Sequence, residues 1–283
     1  MNRVTHILHW EGGSLALDRC RVMGVLNVTP DSFSDGGKSF AADDAVARAW
    51  RIAEEGADVL DVGAESTRPG AQAVSEDEER RRLRPVLEAL ASKKYPLPIS
   101  LDSRKPSIVK ETLENRLVQI INDVEGFRNP AMVGLVKKFR VPAILMHMFG
   151  DPRTMQKEYR YGDVVADLAA FFRARLAETG LEDNVVIDPG IGFGKSVDHN
   201  LEILRRLEEF HVLGRPIAIG ASRKSFIGSI LGTELDERLE GSVACAVVAA
   251  SQGAAIVRVH DVQETVRALR MTHAILEGKP TPP

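Results

Sequence analysis

Eight short apolar runs recur along the chain, and most stop abruptly at polar or glycine-rich residues. They are Val22–Val28, Val59–Val62, Pro98–Leu101, Val118–Ile121, Val141–Met146, Val185–Ile187, Ile217–Ile219 and Ala254–Val259. Short runs rich in Val and Ile read as strands buried on both faces, the pattern of a parallel sheet. The segments between them carry helical spacing. Ser75 with Glu78 reads as a capping box ahead of Leu83, Val86, Leu87 and Leu90. Asp261 with Glu264 repeats that device. Asp236 opens a stripe of Leu239, Val243, Ala246, Val247 and Ala250, and Pro106 suits a first helical turn. Strand and helix alternate eight times over roughly 250 residues, the usual size of a (β/α)8 barrel. A doubly wound open sheet is the second arrangement, but it would have fewer strands and a single ligand crevice.

The expected fold is a single (β/α)8 barrel, a TIM barrel, with a short N-terminal β-hairpin. Residues 1–20 form the extension, turning around Glu11-Gly12-Gly13-Ser14 and plugging the N-terminal end of the barrel. Residues 21–277 form the barrel, and 278–283 a disordered tail. In such barrels the C-terminal strand ends surround one pocket, so the abrupt polar ends become the place to look for chemistry.

Composition removes several functional classes. A net charge of −3 and a pI near 6.2 give no general attraction to nucleic acid or anionic membrane. Cys20 and Cys245 make no disulfide framework and no CxxC. Residues 1–10 lack an apolar signal core, and no apolar run is long enough to span a bilayer. A cytoplasmic location is expected.

The strand ends differ in chemistry. Asn27 opens the segment NVTPDSFSDGG, too polar for a strand and too rich in small residues for a helix, which reads either as an ordinary surface loop or as a mobile active-site loop. Asp102, Asn122 and Asp188 fall at the tops of the third, fourth and sixth strands. A lone Asp there usually caps a helix. Three acceptors at one height would instead suit a flat heterocycle bearing N–H donors. Lys224, after the seventh strand, reads either as a solvated basic turn or as a cation facing those carboxylates. Arg258 and His260 share one face of the eighth strand, where an arginine needs a partner and phosphate is a good one. Gly190–Ser196 imitates a P-loop, but Pro189 stands where its first glycine must be.

Taken together, these segments resemble the dihydropteroate synthase family, the folate-pathway enzymes inhibited by sulfonamides. The resemblance is carried by Asn27–Gly37, by Glu65-Ser66-Thr67-Arg68-Pro69-Gly70 and by Ile121-Asn122-Asp123. It continues in Met146-His147-Met148, Asp188-Pro189-Gly190, Gly192-Phe193-Gly194-Lys195, Ser222-Arg223-Lys224-Ser225 and Arg258–Val262. It runs in order from about residue 20 to 275. Two positions depart from the family pattern: Ala64 replaces a glycine, and Asp102-Ser103-Arg104-Lys105 replaces Asp-Thr-x-Lys.

The resemblance implies condensation of 6-hydroxymethyl-7,8-dihydropterin pyrophosphate with 4-aminobenzoate, giving 7,8-dihydropteroate and pyrophosphate. It implies a pterin site of Asp102, Asn122, Met146, Asp188, Phe193, Gly220 and Lys224. Asn27, Arg258 and His260 would take the pyrophosphate with Mg2+, Asn27 being the protein ligand to the metal. Thr67, Arg68 and Ser222 would flank 4-aminobenzoate. Asn27, Asp102, Arg258 and His260 would carry the chemistry, and the enzyme would be a homodimer. A pterin-binding methyltransferase and a non-catalytic pterin-binding protein are the alternatives on the same barrel. The pyrophosphate residues argue against both.

Overall fold

The computed structural model describes residues 6–29, 38–66, 73–150, 160–181 and 183–278, with residues 38–41 as backbone only. Two antiparallel strands come first, β1 (His6–Trp10) and β2 (Gly13–Leu17). Eight parallel strands follow: β3 (Arg21–Asn27), β4 (Val59–Gly63), β5 (Ile99–Asp102), β6 (Ile120–Asp123), β7 (Ala143–Met146), β8 (Val185–Asp188), β9 (Ala218–Ile219) and β10 (Ile256–Val259). They are ordered β8-β7-β6-β5-β4-β3-β10-β9. A parallel bridge between Ile187 and Ile217 brings the two ends together, so the sheet closes into a barrel.

Helices α1 (Lys38–Glu54), α2 (Glu76–Ser92), α3 (Pro106–Glu114), α4 (Pro130–Phe139), α5 (Val164–Thr179) and α6 (Val197–Arg205) alternate with the strands. After β9 come α7 (Ser225–Leu231) and α8 (Leu239–Ser251), and α9 (Val262–Glu277) ends the fold. Among the described residues no helix is long and apolar enough to cross a membrane.

Strand residues alternate between two environments, as the period of two requires. Leu26, Leu60, Val62, Leu101, Ile121 and Leu145 face outward into the packing between sheet and helices. Met23, Val59, Ile120, Ile144, Val186, Ala218 and Ile256 face inward and pack on Leu8 and Leu17 of the hairpin. The hairpin therefore plugs the N-terminal end. The Asn184 side chain fastens it, accepting from the His9 amide at 2.8 Å and donating to the His9 carbonyl at 2.5 Å.

Several local expectations change. Ser75 caps α2 by accepting from the Glu78 amide at 3.2 Å, but the Glu78 carboxylate turns to Arg81 and Arg82 instead of closing a capping box. Asp261 does not cap α9, because its carboxylate pairs with Arg223. Asp236 lies in a short 3-10 turn before α8. The buried face of α8 is Ser242, Ala246, Ala249 and Ala250, while Val248 is exposed.

Candidate active site

Moving up the strands by two residues from the apolar tier approaches the C-terminal mouth, and on four of them the residue type changes. Val59 gives way to Asp61, Ile120 to Asn122, Val186 to Asp188 and Ile256 to Arg258. Strand register sets Gly63 beside Asp102 and Asp102 beside Asn122.

Arg258 is the centre of this tier. Its Nε donates to Asp61 Oδ2 at 2.6 Å and its Nη2 to Asp102 Oδ2 at 2.8 Å. Asn122 Nδ2 also donates to Asp61 Oδ2, at 3.4 Å. Sequence reasoning missed Asp61, which is fully buried. The available signal was a carboxylate inside the apolar run Val59–Val62, which a buried strand tolerates only with a partner. Burial drives Arg258 toward losing its proton, but Asp61 and Asp102 outweigh it and hold the guanidinium charged. Burial pushes Asp102 upward against the pull of Arg258, with Asp61 adding to the push.

A second group faces the first. Asp188 is buried, accepts the Gly190 amide at 2.8 Å, and is pushed upward chiefly by burial. Lys224 Nζ donates to the Ile191 carbonyl and lies 4.3 Å from the centre of the Phe193 ring. Burial pulls Lys224 down to about 7, while Asp188 opposes the fall. Val124, Met146 and Met148 form a small apolar cluster with Phe193 packed against it. Apolar walls with a few convergent polar groups are the ordinary make-up of a small-molecule site.

The Gly-rich turn after β8 is shaped by close approach. Gly190 has a φ of +71°, and a Cβ there would lie 2.0 Å from the His147 carbonyl oxygen. Gly192 has a φ of +81°, and a Cβ there would press on Lys224. Lys195, buried beneath this turn, donates to the Phe193 carbonyl at 3.0 Å and lies 3.1 Å from His147 Nδ1. Burial drives Lys195 well below the usual lysine value and His147 down to about 2. The motif was visible in the sequence, but the burial of its lysine was not.

Just past β9 and β10, Ser222 Oγ accepts from the His260 backbone amide at 3.2 Å and lies 3.1 Å from His260 Nδ1. Ser222 thus orients the imidazole. Asn27 ends β3, half-buried, and its side-chain amide bonds to none of the described residues. Gly220 follows β9. A Cβ there would meet Arg258 only at ordinary contact distance, so the protein's own packing does not demand glycine. Thr67 and Arg68 lie outside the described residues.

The sequence model of the family described as "Pterin binding enzyme" matches residues 23–260. The chain belongs to the dihydropteroate synthase family of pterin-binding enzymes. It is 46% identical over 273 residues to the dihydropteroate synthase of Escherichia coli K12, covering 95% of this chain and 96% of that one. The structure of the Xanthomonas albilineans dihydropteroate synthase with 4-aminobenzoic acid superposes with a TM-score of 0.89 at 44% identity, covering 96% of this chain and 99% of that one. The complex of the X. albilineans enzyme with 7,8-dihydropteroate gives 0.86 at 41% identity, over 95% and 98%. Both X. albilineans structures share the barrel described above, one with 4-aminobenzoic acid and the other with 7,8-dihydropteroate.

Proposed function

We propose that the chain condenses 6-hydroxymethyl-7,8-dihydropterin pyrophosphate with 4-aminobenzoate, releasing 7,8-dihydropteroate and pyrophosphate. One observation carries the reading within the structure: Asp102, Asn122, Asp188 and Lys224 converge beside the Met146–Met148–Phe193 wall at the C-terminal mouth. A flat pterin needs such a combination, with acceptors and a cation for its edge and apolar atoms for its face.

Asn27, Arg258 and His260 are assigned to the pyrophosphate. Two guanidinium nitrogens of Arg258 serve Asp61 and Asp102, and Nη1 bonds to none of the described residues, so it remains for a phosphate oxygen. Mg2+ fits the donor set. Among the described residues no cluster of three acidic, His or Cys side chains could hold a metal. Magnesium typically takes one or two protein oxygens and fills its sphere with substrate phosphate and water. Asn27, with an unengaged amide oxygen, would be the protein ligand. When bound, the metal supplies charge neutralisation on the leaving pyrophosphate.

The chain's own residues then divide the work. Breaking the C–O bond leaves positive charge on the dihydropterin carbon, and the Asp102 carboxylate is assigned to stabilise it. Arg258 and His260 stabilise the departing anion. Ser222 holds the His260 ring, and with Thr67 and Arg68 is assigned to the 4-aminobenzoate side. The arylamine is unprotonated near neutral pH and needs no strong general base. Binding is ordered, pterin substrate first.

A homodimer belongs to the same reading. It is supported by exposed Ile230 and Leu231 on α7, Val248 on α8, and Met271, Ile275 and Leu276 on α9. A cytoplasmic location also belongs to it, supported by two free cysteines. The test is turnover with both substrates, following pyrophosphate release. Release that does not depend on 4-aminobenzoate would sink the reading.

A further inference from the structure

In the turn at residues 190–194, after β8, successive backbone groups are each given a partner. The Gly190 amide donates to Asp188 Oδ1 at 2.8 Å, and the Gly190 carbonyl accepts from the Phe193 amide at 3.0 Å. The Gly192 amide donates to Asn200 Oδ1 at 2.7 Å, and the Gly194 carbonyl accepts from the Tyr161 hydroxyl at 3.0 Å. Two lysines take carbonyls between these. Lys224 holds that of Ile191, and Lys195 holds that of Phe193 at 3.0 Å.

Lys195 is the costly member of this set, being only 3% exposed. Its hydrogen-bond partners among the described residues are the Phe193 carbonyl and, at 3.1 Å, His147 Nδ1; the centre of the Tyr161 ring lies 6.0 Å from Nζ. A lysine this deep ordinarily sits against a carboxylate. A methionine would fill the space without burying an amine. The amine does what methionine could not: it joins two strand ends. Phe193 belongs to the turn after β8, and His147 follows directly on β7. The same turn carries the Phe193 ring, which packs against Val124, Met146 and Met148 and has Lys224 Nζ at 4.3 Å from its centre.

We propose that Lys195 is a positioning residue for the pterin, fastening the turn at residues 190–194 to His147 so that the Phe193 ring, Lys224 and Asp188 keep the spacing a flat ring requires. The proposal rests on the reading of those three residues as part of the pterin slot. Three of the five residues in the turn are glycines, which bring no side chain to lock it and leave its backbone the freest kind to move. Binding groups must be held to within about 0.5 Å of their productive places by bonds from the residues around them. Lys195 supplies such a bond at the residue whose ring forms the wall. Through the turn it also acts on Lys224, whose amine is anchored to the Ile191 carbonyl two residues before Phe193. Freedom removed in advance is freedom that the ligand does not have to remove when it binds.

Two variants test this. Lys195→Met keeps the length and packing of the side chain and removes its donors. Lys195→Met with His147→Phe removes both ends of the link and leaves no imidazole nitrogen unpaired, while a ring remains against Phe171. Each is expected to weaken the affinity for the pterin pyrophosphate, measured by calorimetry, about tenfold or more, as misplacement of a binding group does. Because both residues act through one link, the double variant is expected to lose no more than about twofold beyond Lys195→Met alone. The KM for 4-aminobenzoate at saturating pterin substrate is expected to stay within about twofold of the parent, since none of the residues assigned to it is touched.

A pterin affinity within about twofold of the parent in a folded Lys195→Met would overturn the proposal, because the turn would then hold its place unaided. Equal losses for both substrates would overturn it too, reducing Lys195 to a general scaffold residue. Asp188→Ala in the parent separates the underlying reading. If it leaves pterin affinity unchanged, the slot is misread and the proposal falls with it. If it weakens that affinity while neither Lys195 variant does, the slot stands and only the role of Lys195 is lost. Should Lys195→Met fail to fold, the double variant decides by the same measures.

Discussion

The two ends of the barrel use the same register positions for opposite purposes. At the N-terminal end Met23, Val59, Ile120, Ile144, Val186 and Ile256 meet the hairpin's Leu8 and Leu17 in a dry tier. Two residues further along four of these strands stand Asp61, Asn122, Asp188 and Arg258, while Val25 and Met146 occupy that place on the other two. Backbone geometry is shared, so side-chain chemistry alone separates a stopper from a pocket. The base is stabilised by apolar burial, worth about 1.5–3 kcal/mol for each fully buried large side chain. The mouth is stabilised by mutual pairing of charges, which tolerates no loss of a single partner.

The contrast can be broken from either end, and the largest effect is expected at the mouth. Arg258→Met leaves Asp61 and Asp102 facing each other without their cation and should cost about 3–5 kcal/mol in denaturant unfolding, together with activity. A loss under about 1 kcal/mol would mean that the tier is not a coupled unit. At the base, Leu8→Ala should cost at least about 2 kcal/mol while leaving kcat/KM of the folded enzyme unchanged. A fall in turnover with no fall in stability would contradict the division between the two ends. Asp188→Ala should then weaken pterin binding by about 1–3 kcal/mol, seen by calorimetry, with a smaller effect on stability. Wild-type affinity would remove Asp188 from the pterin site.

The smallest effect concerns pH. Lys224 is pulled from 10.5 down to about 7 in the folded protein, chiefly by burial. Between those values the unfolded chain holds a proton that the folded one lacks, so this group's contribution to stability rises with pH. The stability of the parent relative to Lys224→Met should therefore increase from about pH 7 to about pH 9 in matched denaturation curves. A flat difference would place Lys224 in solvent rather than against Phe193.

The barrel was legible because a parallel strand buried on both faces leaves an unmistakable apolar run, and eight such runs with short polar ends admit few other closures. All eight runs overlap strands, with boundaries shifted by up to two residues at either end. The site was legible where a polar residue stood at or next to the end of a run. Asp61 was hidden because it stands within one, and its partner Arg258 is far away in sequence. The burial of Lys195 depends on how the glycine turn folds over His147, which no local pattern encodes. Helix caps misled for a related reason: Glu78 and Asp261 had arginines within reach, and a charged partner outcompeted the backbone amide.

The clasp between His9 and Asn184 has a consequence for how the molecule comes into being. The two residues are 175 positions apart, so this contact cannot exist until the chain through Asn184 has left the ribosome. The hairpin is synthesised well before β8, and its clasp to Asn184 must wait for that part of the chain to emerge. The clasp therefore joins the hairpin to a part of the chain made long after it.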